Sequence, residues 1–370
     1  MINRVAIDDN ILMKDKVSTA GSKILYNFRP PFNAAVIDKL TEAGVKDIRQ
    51  TKPNEFGISL TGPFGCVESV AKGEADIGIG CDVNGSVRRE ASKNGICFIK
   101  PAYGTVSRFG LVSASPSMEQ IGIACRDISQ GFECLSVISR ADAGAAGPDT
   151  DACAAGAAGA GPAGIKIGVP ACCADLPEIR DAVNNLNAMG VAVSVFDFSM
   201  LKYVPGAAYI ISAAETGGNI SRFDGIKFGY RTESYSNLED VYVNSRTEGF
   251  TFETKLFALM GNLVLTKENF GKYYNQSLKI RRLIKENTDE ILTRYDAVMT
   301  PVKYRKAGDG NSDESFFDAY ENLKYPALPN LTGNPAISLP GGVEFMAGSC
   351  SMNILFRIGE CFQKNTEAAL

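Results

Sequence analysis

Short apolar runs alternate with stretches of helical period along this chain. Residues 4–7 form a compact apolar run that predicts a strand. Asn33 stands where it can cap a helix reaching Leu40, with Val36, Ile37 and Leu40 on one face and Gly44 as the stop signal. Residues 75–80 predict another strand. Residues 165–169, a 3.6-period segment over 177–189 that turns Ile179, Val183 and Leu186 inward, and residues 191–196 together read as a βαβ-like unit. A long helix is expected over 267–294, and further strands at 297–300 and 336–339. Alternation of this kind predicts an α/β fold, an α/β/α sandwich with a large mixed sheet.

Residues 141–164 break the pattern, being almost entirely Ala, Gly, Pro and Asp. Such a stretch has no large apolar side chains with which to bury a core and is expected to be a flexible surface connection. A loop within one domain fits it as well as a linker between two. No internal repeat is seen.

Composition narrows the function. With 45% hydrophobic and 22% charged residues the chain can bury a large core. The net charge of −4, with no run of Lys or Arg, gives no electrostatic footprint for direct nucleic-acid binding, so any tRNA would have to be held by a partner. No uncharged apolar stretch reaches the roughly 18 residues of a membrane span and residues 1–10 have no signal core, so no membrane contact and a cytoplasmic location are expected. Ten cysteines fall at irregular spacings, only Cys172 and Cys173 being adjacent, which predicts reduced and mostly buried thiols and no zinc site. The chain has no histidine. That absence removes Ser-His-Asp and Cys-His mechanisms and every His-ligated metal; nucleophilic catalysis here needs a lysine, a carboxylate or an unusual base.

The segment Gly80-Cys81-Asp82-Val83-Asn84-Gly85-Ser86-Val87-Arg88 places Ser86 behind a strand after a glycine-containing turn. The backbone amides of Val83, Asn84 and Gly85 can converge there on an oxyanion formed beside a serine nucleophile. A serine after glycine is more often a turn residue, and the local sequence leaves both roles open. Gly78 and Gly80 lack the third glycine and acidic partner of a dinucleotide fingerprint.

A longer pattern surrounds this segment. It includes Lys100-Pro101-Ala102-Tyr103-Gly104-Thr105-Val106-Ser107-Arg108-Phe109-Gly110-Leu111-Val112, Ala20-Gly21-Ser22-Lys23-Ile24-Leu25, and Ser221-Arg222-Phe223-Asp224-Gly225-Ile226-Lys227-Phe228-Gly229-Tyr230-Arg231. Arg246-Thr247-Glu248-Gly249-Phe250 and Asn330-Leu331-Thr332-Gly333-Asn334-Pro335-Ala336-Ile337-Ser338 continue it. In this order the chain resembles the amidase-signature family, and within it the branch of A subunits of tRNA-dependent amidotransferases. The resemblance runs with gaps from Val5 to Phe356 and implies one amidase-signature domain over residues 1–370, with the flexible connection at 141–164 inside it. It further implies a subunit that hydrolyses glutamine and supplies ammonia for transamidation of Glu-tRNA(Gln) or Asp-tRNA(Asn), working with a tRNA-binding B subunit and a small C subunit. No cofactor is implied for this chain; ATP and Mg would belong to the partner subunit.

The family's catalytic set is a lysine, a serine held by a cis peptide and the nucleophilic serine, a relay that needs no histidine. Ser86 aligns with the nucleophile. The lysine position falls on Asp8 and, counting back from Gly73 without gaps, the cis-bonded serine falls on Gly62, with Ser59 and Thr61 available only after a register shift. Roughly two dozen family residues before Leu60 and an N-terminal helical region have no counterpart. A carboxylate at the lysine position is a poor proton acceptor from serine and sets negative charge near a developing oxyanion, so hydrolysis is expected to be impaired. The plain reading of Asp8 and Asp9 is a solvated pair at a strand end. For glutamine, the resemblance carries the carboxylate-binding tyrosine to Tyr230 and the arginine to Arg281, which also reads as one positive residue on a solvated helix face. The acidic position falls on Leu323, with Glu321 nearby. The alternative is a non-catalytic member that keeps the fold as a binding or scaffold protein.

Overall fold

The structure is a computed structural model that describes residues 2–60, 62–139, 162–303 and 316–368. Residues 141–161 of the expected connection lie outside the described residues. A ten-stranded sheet runs in the order β2-β1-β3-β5-β4-β9-β10-β8-β6-β7. At one end β2 (Asp47–Thr51), β1 (Arg4–Asp8) and β3 (Ile77–Asp82) are parallel. The middle is antiparallel, through β5 (Gln120–Cys125), β4 (Cys97–Lys100), β9 (Ala336–Leu339), β10 (Val343–Ala347) and β8 (Ala297–Pro301). At the far end β6 (Lys166–Pro170) and β7 (Ala192–Phe196) return to parallel pairing. The mixed sheet expected from the alternation is therefore present, and β6, the helix Pro177–Ala188 and β7 are the expected βαβ unit.

Alternation of side chains along each strand divides the core between the two faces of the sheet. Val5, Ile7, Ile77, Ile79 and Cys81 join the main core, whereas Ala6 points to a smaller cluster with Phe64, Cys66, Val67 and Val70. That smaller cluster lies under helix α2 (Gly65–Ala71). The glycines at 78 and 80 serve this contact: a Cβ at Gly78 would stand 2.4 Å from the Cys66 carbonyl oxygen, and one at Gly80 2.7 Å from Cys66 Sγ. Close helix–strand approach, and not nucleotide binding, accounts for this G-x-G.

Two boundary expectations change. Asn33 is not the cap of helix α1 (Ala35–Glu42); Ala34 holds that position, and Asn33 accepts the Lys14 N–H at 2.8 Å and donates to Asp38 at 2.9 Å. The long helix is interrupted by a π-helical turn at Phe270–Tyr274 before Asn275–Arg294. Among the described residues no helix is long and apolar enough to cross a membrane.

Candidate functional site

β1 and β3 are parallel, with Ile7 level with Ile79, so Asp8 and Asp82 end their strands at the same edge of the sheet. Beyond Asp82 the chain turns through Val83 and Asn84 to Gly85, at φ 85°, and helix α3 (Ser86–Lys93) begins. Glycine is required at 85, since a Cβ there would meet Pro326 Cβ at 2.4 Å in addition to the left-handed backbone. Asp82 staples the turn: one carboxylate oxygen accepts the Gly85 N–H at 2.8 Å and the other accepts Arg88 Nε at 2.7 Å. Arg88 is fully buried and also donates to Glu344, to the Pro326 carbonyl and to Asn330. The Asn330 amide returns to the carbonyls of Asp82 at 3.1 Å and Met118 at 3.0 Å. Burial pushes Glu344 up to about 7 against the pull of Arg88, and pushes the adjoining Lys100 down to about 7.

Ser86 is 6% exposed and its hydroxyl has no hydrogen-bond partner among the described residues. Its N–H goes to Asn84 Oδ1 at 3.2 Å, and Asn84 Nδ2 donates to the Ile58 carbonyl at 3.2 Å. Of the three amides expected to form an oxyanion hole, that of Gly85 is committed to Asp82. Those of Val83 and Asn84 donate to no acceptor among the described residues.

Asp8 and Asp9 are not a solvated pair. Asp8 is 0% and Asp9 4% exposed, because β1 is central among its parallel neighbours and α2 closes over its end. Asp8 accepts Thr51 Oγ1 and the Cys66 N–H, both at 2.9 Å, and the Cys66 thiol at 3.1 Å. Burial pushes its carboxyl up to about 6, opposed by the hydrogen bonds from Cys66 and Thr51, and burial beside Asp8 pushes the Cys66 thiol well up. Asp9 accepts the Thr19 N–H at 2.7 Å and its hydroxyl at 2.6 Å. No hydrogen bond joins Asp8 to Ser86. Gly62 is exposed at φ 109° with nothing within 4 Å of a Cβ, and Thr61 lies outside the described residues.

The short segment leading to Gly62 is tied down by residues that sequence reasoning missed. Phe56 adopts φ 56° and stacks on Phe223 at 5.4 Å between centroids. Glu253, at the start of the helix Phe252–Leu265, accepts the Ser59 hydroxyl and the Leu60 N–H, the latter at 2.6 Å; Arg89 donates to the Leu60 carbonyl. The Ser59 hydroxyl is thereby engaged by Glu253. Glu55 accepts Ser22 Oγ at 2.5 Å and the Thr251 N–H at 2.9 Å. Nothing local marks Glu55 or Glu253, whose partners lie far off in the chain.

The two candidate glutamine contacts share no partner. The Tyr230 hydroxyl donates to Glu248, and Lys23 Nζ sits 3.9 Å from the centroid of its ring. Arg281 donates to the Leu331 carbonyl, to Ser117 Oγ and to the Ser117 carbonyl, each at 2.7 Å. It is therefore no solvated helix charge; it pins the loop that Glu215 also holds by accepting the Ser117 N–H at 2.9 Å. Leu323, at the acidic position, is part of the core. Among the described residues no group of three or more His, Cys, Asp or Glu side chains is placed to hold a metal.

Comparison with known proteins gives a consistent answer. The family model described as Amidase matches residues 64–349. The chain is similar to the A subunit of glutamyl-tRNA(Gln) amidotransferase of Lachnoclostridium phytofermentans, 35% identical over 92% of this chain and 75% of the relative. The corresponding protein of Enterococcus faecalis is 34% identical over 91% of this chain and 76% of the relative. In three dimensions it resembles the crystal structure of the A subunit of glutamyl-tRNA(Gln) amidotransferase from Thermotoga maritima, with a TM-score of 0.76 and 25% identity, covering 98% of this chain and 83% of that one. With the family model matching residues 64–349 and a 35% identical relative spanning 92% of its length, the chain belongs to the amidase family.

Proposed function

We propose that this chain is an A-subunit-type amidase whose amide hydrolysis is impaired: it keeps the serine turn but lacks the proton relay. One observation carries the reading. The Ser86 hydroxyl is buried without a hydrogen-bond partner among the described residues, while Asp8, at the lysine position, is turned to Thr51 and Cys66. A serine is a weak nucleophile unless a base lies within hydrogen-bond reach, and losing one member of a relay costs about 10³- to 10⁶-fold in rate. Glutamine is the candidate ligand, Tyr230 and Arg281 its candidate contacts, and the B and C subunits the candidate partners, with ATP and Mg handled outside this chain.

A second reading, a non-catalytic binding or scaffold protein, draws support from Tyr230 and Arg281, whose donors already serve Glu248, Ser117 and Leu331. Ammonia release from glutamine, measured on Asp8→Lys, Gly62→Ser, the double variant and the double variant with Ser86→Ala, tests the missing relay. Activity is expected to rise only in the double variant and to vanish with Ser86→Ala. Either single change restoring as much as the pair would refute a relay that acts as a unit.

A further inference from the structure

Beyond β1 the chain closes into a ring of side chains and turns that the function proposed for Ser86 does not use. Asp9 Oδ2 accepts the Thr19 N–H and hydroxyl, and Thr19 Oγ1 accepts the Gly21 N–H at 3.2 Å. A Cβ at Gly21 would lie 2.9 Å from the Asn54 carbonyl oxygen, and that carbonyl accepts the Gly57 N–H at 3.0 Å. Asn10 Nδ2 lies 3.5 Å from the Cβ position of Gly57, and the peptide bond between Asp9 and Asn10 closes the ring. The arcs 19–21 and 54–57 are joined by the Phe56 N–H, which donates to the Ala20 carbonyl at 2.8 Å. Asp9 is 4% and Asn10 0% exposed. Asp9 Oδ1 and both polar atoms of the Asn10 and Asn54 amides are buried with no hydrogen-bond partner among the described residues. No Lys or Arg pairs with Asp9 among those residues; its carboxylate is met only by Thr19, and only on one oxygen. A buried carboxylate is costly unless a positive charge or a full set of donors meets it.

We propose that this ring is a site for a monovalent alkali cation, Na⁺ or K⁺, held by Asp9 Oδ1 and the side-chain oxygens of Asn10 and Asn54. Carboxylate and amide oxygens suit hard cations. A half-turn of an amide exchanges its oxygen and nitrogen, so each asparagine can present oxygen to the ion. The ring carries a single negative charge, which a monovalent ion balances; calcium affinity grows with the number of carboxylates, and here there is one. Waters completing the coordination shell accept the amide N–H donors of Asn10 and Asn54. The ion takes no part in bond-making, but it sits where it can brace the serine turn. Gly57 leads into Ile58, whose carbonyl accepts Asn84 Nδ2, and Asn84 Oδ1 accepts the Ser86 N–H. The assignment is independent of any activity at Ser86.

The test uses the full-length chain and the ions alone. Thermal unfolding is followed by circular dichroism in NaCl, KCl and choline chloride at one ionic strength of about 0.2 M, which holds screening constant. By mass action, an ion bound only by the folded state should raise the midpoint by about 2–4 °C in NaCl or KCl over choline chloride, and further as its concentration rises. Asp9→Asn should bring the midpoints in these salts together; Asn54→Ala, at a half-buried position, should shrink the gap and serves if Asp9→Asn does not fold. Wild-type crystals soaked in thallium(I) acetate, with Tl⁺ standing in for K⁺, should show an anomalous peak between Asp9, Asn10 and Asn54. Equal midpoints in all the salts would overturn the proposal and leave the ring holding water only. A gap unchanged in the variants, or thallium absent from the ring, would overturn it as well. A larger rise with calcium or magnesium at about 1 mM than with NaCl would overturn the monovalent assignment.

Discussion

Replacing Asp8 by asparagine should stabilise this protein at neutral and alkaline pH. The carboxyl is fully buried and displaced from its ordinary 3.8 to about 6, chiefly by burial. At about 1.36 kcal/mol per pH unit, that displacement corresponds to roughly 3 kcal/mol. The sign follows from linkage. Because the folded pKa lies above the unfolded one, the unfolded chain loses this proton first; the favourable contribution is complete below pH 3.8 and is lost as pH rises through about 6. Above that, the folded protein carries a buried anion balanced only by neutral donors. The asparagine side chain keeps an acceptor for Thr51 and the Cys66 N–H but turns an NH₂ toward the Cys66 thiol, so the expected net gain is about 1–3 kcal/mol at pH about 8. The chain contains no tryptophan, so urea unfolding is best followed by far-UV circular dichroism. The gap between variant and wild type should be largest at pH about 8 and close toward pH about 4. A variant less stable than wild type at the alkaline end, or a gap that does not change with pH, would refute the picture of a buried, unpaired carboxylate.

Other expectations rest on the same turn. Arg88→Met leaves Asp82 and Glu344 buried without their cation and should cost about 3–5 kcal/mol in urea unfolding; a loss under about 1 kcal/mol would contradict the network. Gly85→Ala should cost about 2–4 kcal/mol, through positive-φ backbone and contact with Pro326, whereas alanine at Gly62, which shares the positive-φ strain but where a Cβ meets nothing, should cost less; equal losses would contradict this. Arg281→Ala should abolish any glutamine binding seen by calorimetry and loosen the Ser117 loop, and binding indifferent to the change would remove Arg281 from the candidate contacts.

The strands that sequence pattern reveals are those with local signals. β1, β3, β6, β8 and β9 are short apolar runs bounded by turn residues, and β7 closes a unit whose helix has a clear period. β4 and β5 are apolar runs as well, though they are not among the strands expected from the sequence, whereas β2 and β10 carry no such mark. β2, Asp-Ile-Arg-Gln-Thr at the sheet edge, is mostly polar, and β10 contains Glu344, a residue that argues against a buried strand until Arg88 arrives from far along the chain. The site divides in the same way. Ser86 and its turn were legible because strand, glycine and serine are contiguous. The burial of Asp8 was not, because it depends on Thr51 and on Cys66 brought down over Gly78 and Gly80. The clamp of Glu253 and Arg89 on Leu60 is likewise a product of tertiary packing, as is the engagement of Arg281 with Ser117.

The central claim is that the serine turn survives without a base. Ammonia release from glutamine by the purified wild-type chain, compared with Ser86→Ala over the same pH range, measures this most directly. The account predicts that the wild type releases little ammonia and that Ser86→Ala changes it no further than the background. Robust release by the wild type that disappears in Ser86→Ala would contradict it, and would mean that another group, Lys14, Lys16 or Asp8 itself, takes the proton from Ser86.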